Sequence, residues 1–131
     1  LLGYGRAGAK TVQSLKEQNI PAVVVDEDAA VIRKLIKEGT PCIQADGSNT
    51  HALELAHARE ARVVICSMRR SRDAKIALDS LRGSQAIVLV RTFEADEIAM
   101  VEAAGGIAIK AAHASSKTFL EWIDLNLTRK A

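Results

Sequence analysis

Short apolar runs recur along the chain at a nearly constant interval: Ala22–Val25, Cys42–Ala45, Val63–Cys66, Ile87–Val90 and Ile107–Ile109. They are rich in valine and isoleucine, bounded by polar residues or glycine, and too short for helices. Such runs mark strands covered on both faces, as in a parallel sheet. Between them the apolar positions change to helical spacing. Val31, Ile32, Leu35 and Ile36 are expected on one face ahead of Gly39, and Ile76, Ala77, Leu78 and Leu81 ahead of Gly83. Ile98, Val101 and Ala104 precede Gly105 and Gly106 in the same way. Glycine just past the last turn supplies the left-handed residue that ends a helix. Strand and helix thus alternate with a unit of roughly 20–24 residues. Leu1-Leu2 is expected to be the end of a first strand lying mostly upstream, which brings the count to about six. The pattern predicts an α/β fold, a Rossmann-like doubly wound parallel sheet. A solenoid could share this period, but the units have no common side-chain signature.

The sheet domain is expected over residues 1–114, with a single helix over 115–131. In that helix Phe119, Leu120, Ile123 and Leu127 form one stripe, while Trp122 and Leu125 fall on another. One stripe is enough to dock a terminal helix on its own sheet. The second predicts a contact with another copy of the chain, or a helix leading into a segment that lies beyond it.

The 131 residues suit one domain, which excludes a complete two-domain dehydrogenase. With 48% apolar and 26% charged residues, the chain can bury an ordinary core. Aromatic residues make up only 3%, and 18 basic residues stand against 16 acidic ones, so a nucleic-acid partner is not expected. Cys42 and Cys66 lie 24 apart with no CxxC and read as reduced core thiols. No run reaches the ~18 apolar residues that span a bilayer.

Gly3-Tyr4-Gly5-Arg6-Ala7-Gly8 matches GxGxxG, follows a strand end and precedes a helix expected over Ala9–Glu17. In a dinucleotide-binding fold the first glycine makes the tight turn and the second lets the backbone approach a pyrophosphate. The third lets the helix pack against the strand, and the helix N-terminus faces the phosphates. The Ala22–Val25 strand ends in Asp26, eighteen residues beyond Gly8, where a carboxylate accepts hydrogen bonds from a ribose. The same charge repels a 2′-phosphate, which disfavours NADP. Glu27 and Asp28 follow, and Asp28 is the expected N-cap of the next helix. Lys10 comes one residue too late for a phosphate-binding GxxxxGK[ST] loop, which rotates it about 100° around the helix.

Further candidates stand where strands end. Asp46 and Gly47 follow the Cys42–Ala45 strand and are expected beside the adenine or ribose. Ser67 and Met68 open a basic stretch, Arg69-Arg70-Ser71-Arg72, suited to an anionic ligand. Arg91 follows the Ile87–Val90 strand. The three histidines form no cluster, so no metal site is expected. The only tyrosine lies in the glycine loop, there is no Tyr-xxx-Lys pair and no GxSxG elbow, and no catalytic residue is proposed.

With the glycine loop, Asp26, the Asp46-Gly47 turn, Arg91 and the final helix assembled, the chain resembles the Trk-N, or RCK N-terminal, nucleotide-binding domains. These sit on the cytoplasmic face of potassium channels, Trk/Ktr uptake systems and Kef-type cation/proton antiporters. The wording of the glycine loop and Ile20-Pro21 are most similar to the Kef-type branch. The resemblance implies that Gly3–Gly8 hold phosphates, that Arg6 can contact one, and that Asp26 binds ribose. It implies roles for Asp46, although Ala45 replaces the family's glycine, and for Arg91 near the adenine or a subunit contact. It also implies a homodimer or higher ring, an attached membrane channel or antiporter, and a ligand among NAD, NADH, AMP, ADP and ATP. The function expected is regulatory. The alternatives are an NAD-binding fragment of an oxidoreductase and a domain used only for assembly.

Overall fold

The computed structural model describes residues 1–68, 71–110 and 116–126. Among the described residues five strands alternate with six α-helices: α1 (Gly5–Glu17), β1 (Val24–Asp26), α2 (Ala29–Lys37), β2 (Cys42–Gln44), α3 (Thr50–Leu55), β3 (Val63–Cys66), α4 (Ser71–Ser80), β4 (Ile87–Thr92), α5 (Ala95–Ala103), β5 (Ile107–Lys110) and α6 (Ser116–Asn126). A 3₁₀ turn, Ala58–Glu60, precedes β3.

All strand pairs are parallel, β1 with β2, β3 with β4 and β4 with β5. Leu2 joins the two groups by bridging to Val25 on one side and Cys66 on the other. Its N–H donates to Ile65 O at 2.8 Å and its carbonyl accepts from Ser67 N at 2.9 Å, while Gly3 N donates to Val25 O at 2.9 Å. The spatial order is therefore β2, β1, the Leu1–Gly3 segment, β3, β4, β5. This is the doubly wound order, with its switch point beside Leu2.

Alternation along each strand sends neighbouring side chains to opposite faces. Val25, Val64, Cys66, Val88 and Val90 pack with α3, α4 and α5 through Leu53, Ala77, Leu78 and Val101. On the other face Ile65, Leu89 and Ile109 meet Leu15 of α1 and Phe119 and Ile123 of α6. Val24 meets Tyr4, Val12, Ile32 and Leu35. Both faces are covered, so the strands are continuously apolar rather than alternating.

Local chemistry sets the helix ends. Asp28 caps α2 by accepting the Ala30 N–H at 2.8 Å, as expected, and Asn49 caps α3 through Ala52 N at 3.0 Å. Glu94 and Glu97 form a capping box at the start of α5.

Some expected faces shift. Ile36 is 65% exposed and Ile76 40% exposed, although both were expected on inward stripes. Each neighbours a residue that takes the inward place, Leu35 and Ala77, and one residue is a 100° turn. In α6, Trp122 packs with Phe119 and Ile123 against the sheet, so only Leu125 of the second stripe points outward, 57% exposed. Leu127 and residues 111–115 lie outside the described residues. Among the described residues no helix is long and apolar enough to cross a membrane.

Candidate functional site

A crevice of about 310 Å³ opens at the carboxyl edge of the sheet, at the switch point. Gly3, Val25, Asp26 and Glu27 line one side, and Asp46, Gly47, Met68 and Asp73 complete it. The edge is built by the loops that follow Leu2, β1, β2 and β3.

The glycine loop takes the shape its sequence requires. Gly3 has φ +87°, a conformation side chains rarely adopt. A Cβ on Gly8 would lie 3.0 Å from Leu1 Cδ2 and 3.2 Å from the Gly3 carbonyl, so this glycine lets α1 pack close to the sheet. Helix α1 starts at Gly5, inside the loop and four residues before the expected Ala9, and no side chain caps it. Its first turn has no acidic residue, which leaves the partial positive charge of the helix end open to an anion. Arg6 and Ala7 lie in this turn, and their side chains are outside the described residues.

Asp26 closes the loop. Its Oδ2 accepts the Tyr4 N–H at 2.9 Å and its Oδ1 accepts the Asp28 N–H at 2.8 Å. The carboxylate has about four lone-pair sites, so two remain for a ligand. Tyr4 contributes its main chain only. Its ring is buried against Val12, Val24 and Leu35 and does not line the crevice. Burial, with the Glu38 carboxylate nearby, holds the Tyr4 hydroxyl above its ordinary pKa.

On the other side, Asp46 Oδ1 accepts the N–H of Ser48 at 2.9 Å and its hydroxyl at 3.0 Å, an Asx turn that also faces the crevice. Ala45, in place of the family's glycine, donates its N–H to Asp26 O at 3.1 Å and leaves the turn next to β1. Met68 lies across Gly47, and a Cβ there would come within 2.5 Å of its sulfur.

Among the described residues of the glycine loop only Gly3 lines the crevice itself, with Gly5 and Gly8 outside its lining, and two expected residues from later in the chain are not in it. Ser67 extends the sheet by donating its N–H to Leu2 O and does not line the cavity. Arg91 lies within β4 rather than after it, because pairing continues through Arg91↔Ile109 and Thr92↔Lys110. It alternates in phase with Leu89, on the α6 face, and its guanidinium stands 5.1 Å from the Phe93 ring. Its Nε is buried without a hydrogen-bond partner. Arg69 and Arg70 lie outside the described residues.

Two lining residues were missed in the sequence. Val25 is an ordinary core valine whose position at the edge comes only with the sheet order. Asp73 lies in the first turn of α4, and its signal, an acid opening the helix after β3, was masked by the adjacent arginines. Among the described residues, no group of three His, Cys, Asp or Glu could hold a metal ion.

A parallel sheet in this order, with a GxGxxG turn and an acid meeting at its switch point, defines a Rossmann-like domain. Residues 1–121 match the family model of the TrkA-N domain, and the chain belongs to that family. Its relatives include the putative K(+) efflux antiporter KefB of Alkalimonas amylolytica, 26% identical over 114 residues, covering 83% of this chain and 17% of that protein. The putative cation/proton antiporter YbaL of Escherichia coli K12 is 25% identical over 107 residues, covering 80% and 19%. The chain thus spans less than a fifth of the length of these relatives, which agree with the resemblance to the Kef-type branch. Among solved structures, the TrkA-N domain of inner membrane protein ybaL from Escherichia coli superimposes with TM-score 0.79 at 23% identity, covering 92% of each chain. The GsuK channel matches in its NAD-bound form (TM-score 0.71, 18% identity, 82% and 20% covered) and its ADP-bound form (0.73, 17%, 82% and 29%). The fold also recurs in ChuY, an anaerobillin reductase from Escherichia coli O157:H7 (TM-score 0.58, 18% identity, 92% and 63% covered).

Proposed function

We propose that this TrkA-N domain is a regulatory, non-catalytic module on the cytoplasmic face of a membrane. It binds an adenine nucleotide, NAD or NADH or one of AMP, ADP and ATP, and so gates potassium movement through an attached channel or cation/proton antiporter. One observation carries the reading: Gly3, the first residue of the glycine turn, and Asp26 line a single crevice at the switch point.

In this reading the main chain of Gly3–Gly8 and the open end of α1 hold phosphate, with Arg6 available to it. Asp26 accepts the ribose hydroxyls, and Glu27, Asp46 and Gly47 border the adenosine. Met68 borders the second half of a dinucleotide, and Ser67 holds the strand end beside it through Leu2. Arg91, outside the crevice, serves a subunit contact. The two GsuK complexes support adenine nucleotides as the ligand class, and the antiporter and channel relatives support a membrane partner. The domain acts as a homodimer or higher ring with residues 115–131 at the contact, and the nucleotide favours one arrangement by its differential affinity. A ~100-fold preference between two arrangements gives about 2.7 kcal/mol of bias.

ChuY shows that the same fold serves an enzyme, so the rival reading is an NAD-binding piece of an oxidoreductase. Calorimetric titration with NAD, NADH, AMP, ADP and ATP, repeated on Asp26→Ala, tests the proposal. Saturable binding lost in the variant supports a nucleotide sensor. Binding by none of the five, or unchanged binding in the variant, overturns it.

A further inference from the structure

A second cavity, of about 390 Å³, lies between α1 and α2 and shares no lining residue with the glycine crevice. Tyr4 forms its inner wall, with Lys10, Gln13 and Lys16 from α1 and Lys34 and Glu38 from the α2 side. Three lysines therefore line one concavity that has a single acidic residue. Among the described residues, none of the three lysines has a carboxylate within the 4.0 Å of an ion pair. Lys16 reaches across the groove instead, donating to the main-chain carbonyl of Glu38 at a long 3.4 Å. Three positive charges against one carboxylate leave the groove net positive, and an anion between them would offset that excess.

The lining also limits the kind of anion. Glu38 is the one acidic residue of the lining, beside three lysines, the Gln13 amide and Tyr4, with Ala9 and Val12 between them, so cationic donors outnumber the single anionic acceptor. The lone-pair sites of a carboxylate lie in one plane, whereas those of a phosphate are spread around it and carry more charge, which suits three lysines placed on two helices. The volume is within the range of small-molecule sites. Lys10, which misses the register of a phosphate loop, faces this groove.

We propose that the α1–α2 groove is a second ligand site, independent of the glycine crevice, for a small phosphorylated anion held by Lys10, Lys16 and Lys34.

The test uses the 131-residue chain and inorganic pyrophosphate, followed by amide chemical shifts in ¹⁵N-labelled protein. The expected result is saturable shifts at Lys10, Gln13, Lys34 and Glu38 that weaken as sodium chloride is raised. The Lys10→Gln/Lys34→Gln pair should raise the apparent Kd about tenfold or more, while Asp26→Ala leaves these shifts in place. Both lysines are exposed, so the double variant should fold, and its thermal melt checks this. Shifts confined to Gly3–Gly8 would place pyrophosphate at the glycine loop alone and overturn the proposal. So would shifts at the groove that do not saturate, or that persist unchanged in the folded double variant.

Discussion

The carboxylate of Asp26 is bound to the loop it faces, with its Oδ2 2.9 Å from the main-chain nitrogen of Tyr4. One acid at the end of β1 thus shapes the glycine turn and presents its remaining lone pairs to the crevice. Replacing it has two separable effects. Asp26→Ala leaves the N–H groups of Tyr4 and Asp28 without this acceptor, and the expected loss of about 1–2 kcal/mol leaves the domain folded in a urea titration. Asp26→Asn keeps an acceptor for the loop and should recover part of that stability. Neither variant should be stabilised by an adenine nucleotide in a thermal melt. A nucleotide-induced rise in Tm retained by Asp26→Ala would remove Asp26 from the ribose site.

Gly47 and Met68 give a test of the opposite wall. A methyl at Gly47 would overlap the Met68 sulfur, at 2.5 Å, and crowd Leu2 Cβ, at 3.2 Å. The sulfur is near the end of a flexible side chain, so Gly47→Ala should cost no more than about 1 kcal/mol and push Met68 into the crevice. Nucleotide affinity should fall, and adding Met68→Ala should restore it. Gly106→Ala provides the contrast, because its methyl would meet Leu78 Cδ2 at 2.8 Å and Val101 Cγ1 at 2.9 Å in the closed core. That variant should lose about 1–3 kcal/mol by denaturation without a change in nucleotide affinity.

Parallel strands covered on both faces leave a strong trace in sequence, and Val63–Cys66 was legible to the residue. The glycine turn and Asp26 were legible because backbone conformation and charge at a strand end are local properties. Arg91 was harder: its charge suggested that the strand had ended, but pairing with Ile109 carries β4 through it, and the strand's alternation decides which face it takes. Tyr4 was assigned by its place in the motif, whereas its ring follows the core on the far side of the loop. Asp73 and Val25 enter the crevice only because Leu2 brings β1 and β3 together, a contact between segments too far apart in sequence for any local pattern to show.

The two cysteines should differ in reactivity. Cys66 is fully buried in the core, and burial pushes its thiol up to about 12, while Cys42 is only half-buried. The thiolate is the nucleophile, so iodoacetamide at pH 8 should label Cys42 well before Cys66, as peptide mass mapping would show. The same shift makes stability depend on alkaline pH. The unfolded thiol releases its proton near pH 8.5, whereas the folded one holds it to about 12. Between these values the unfolded state binds fewer protons, so stability falls as pH rises. The full contribution is present below the unfolded pKa. Cys66→Ala should flatten that decline between pH 8.5 and 10.5 in denaturation curves, and an unchanged slope would contradict the assignment.

Helix α6 carries one residue that is fully buried in the core and another that is exposed. Phe119 is 0% exposed and packs with Leu15, Leu89 and Ile109, so Phe119→Ala should cost about 3–5 kcal/mol in a chemical denaturation of the chain. Leu125 is 57% exposed on the same helix, and Leu125→Ser should change monomer stability by no more than about 0.5 kcal/mol. If the outer face of α6 joins two copies, the serine variant should weaken self-association in sedimentation equilibrium, because it removes apolar area from the contact. Phe119→Ala would disturb association and folding together and could not separate them. Leu125→Ser can, and an unchanged association constant would move the subunit contact away from this helix while leaving the nucleotide crevice untouched.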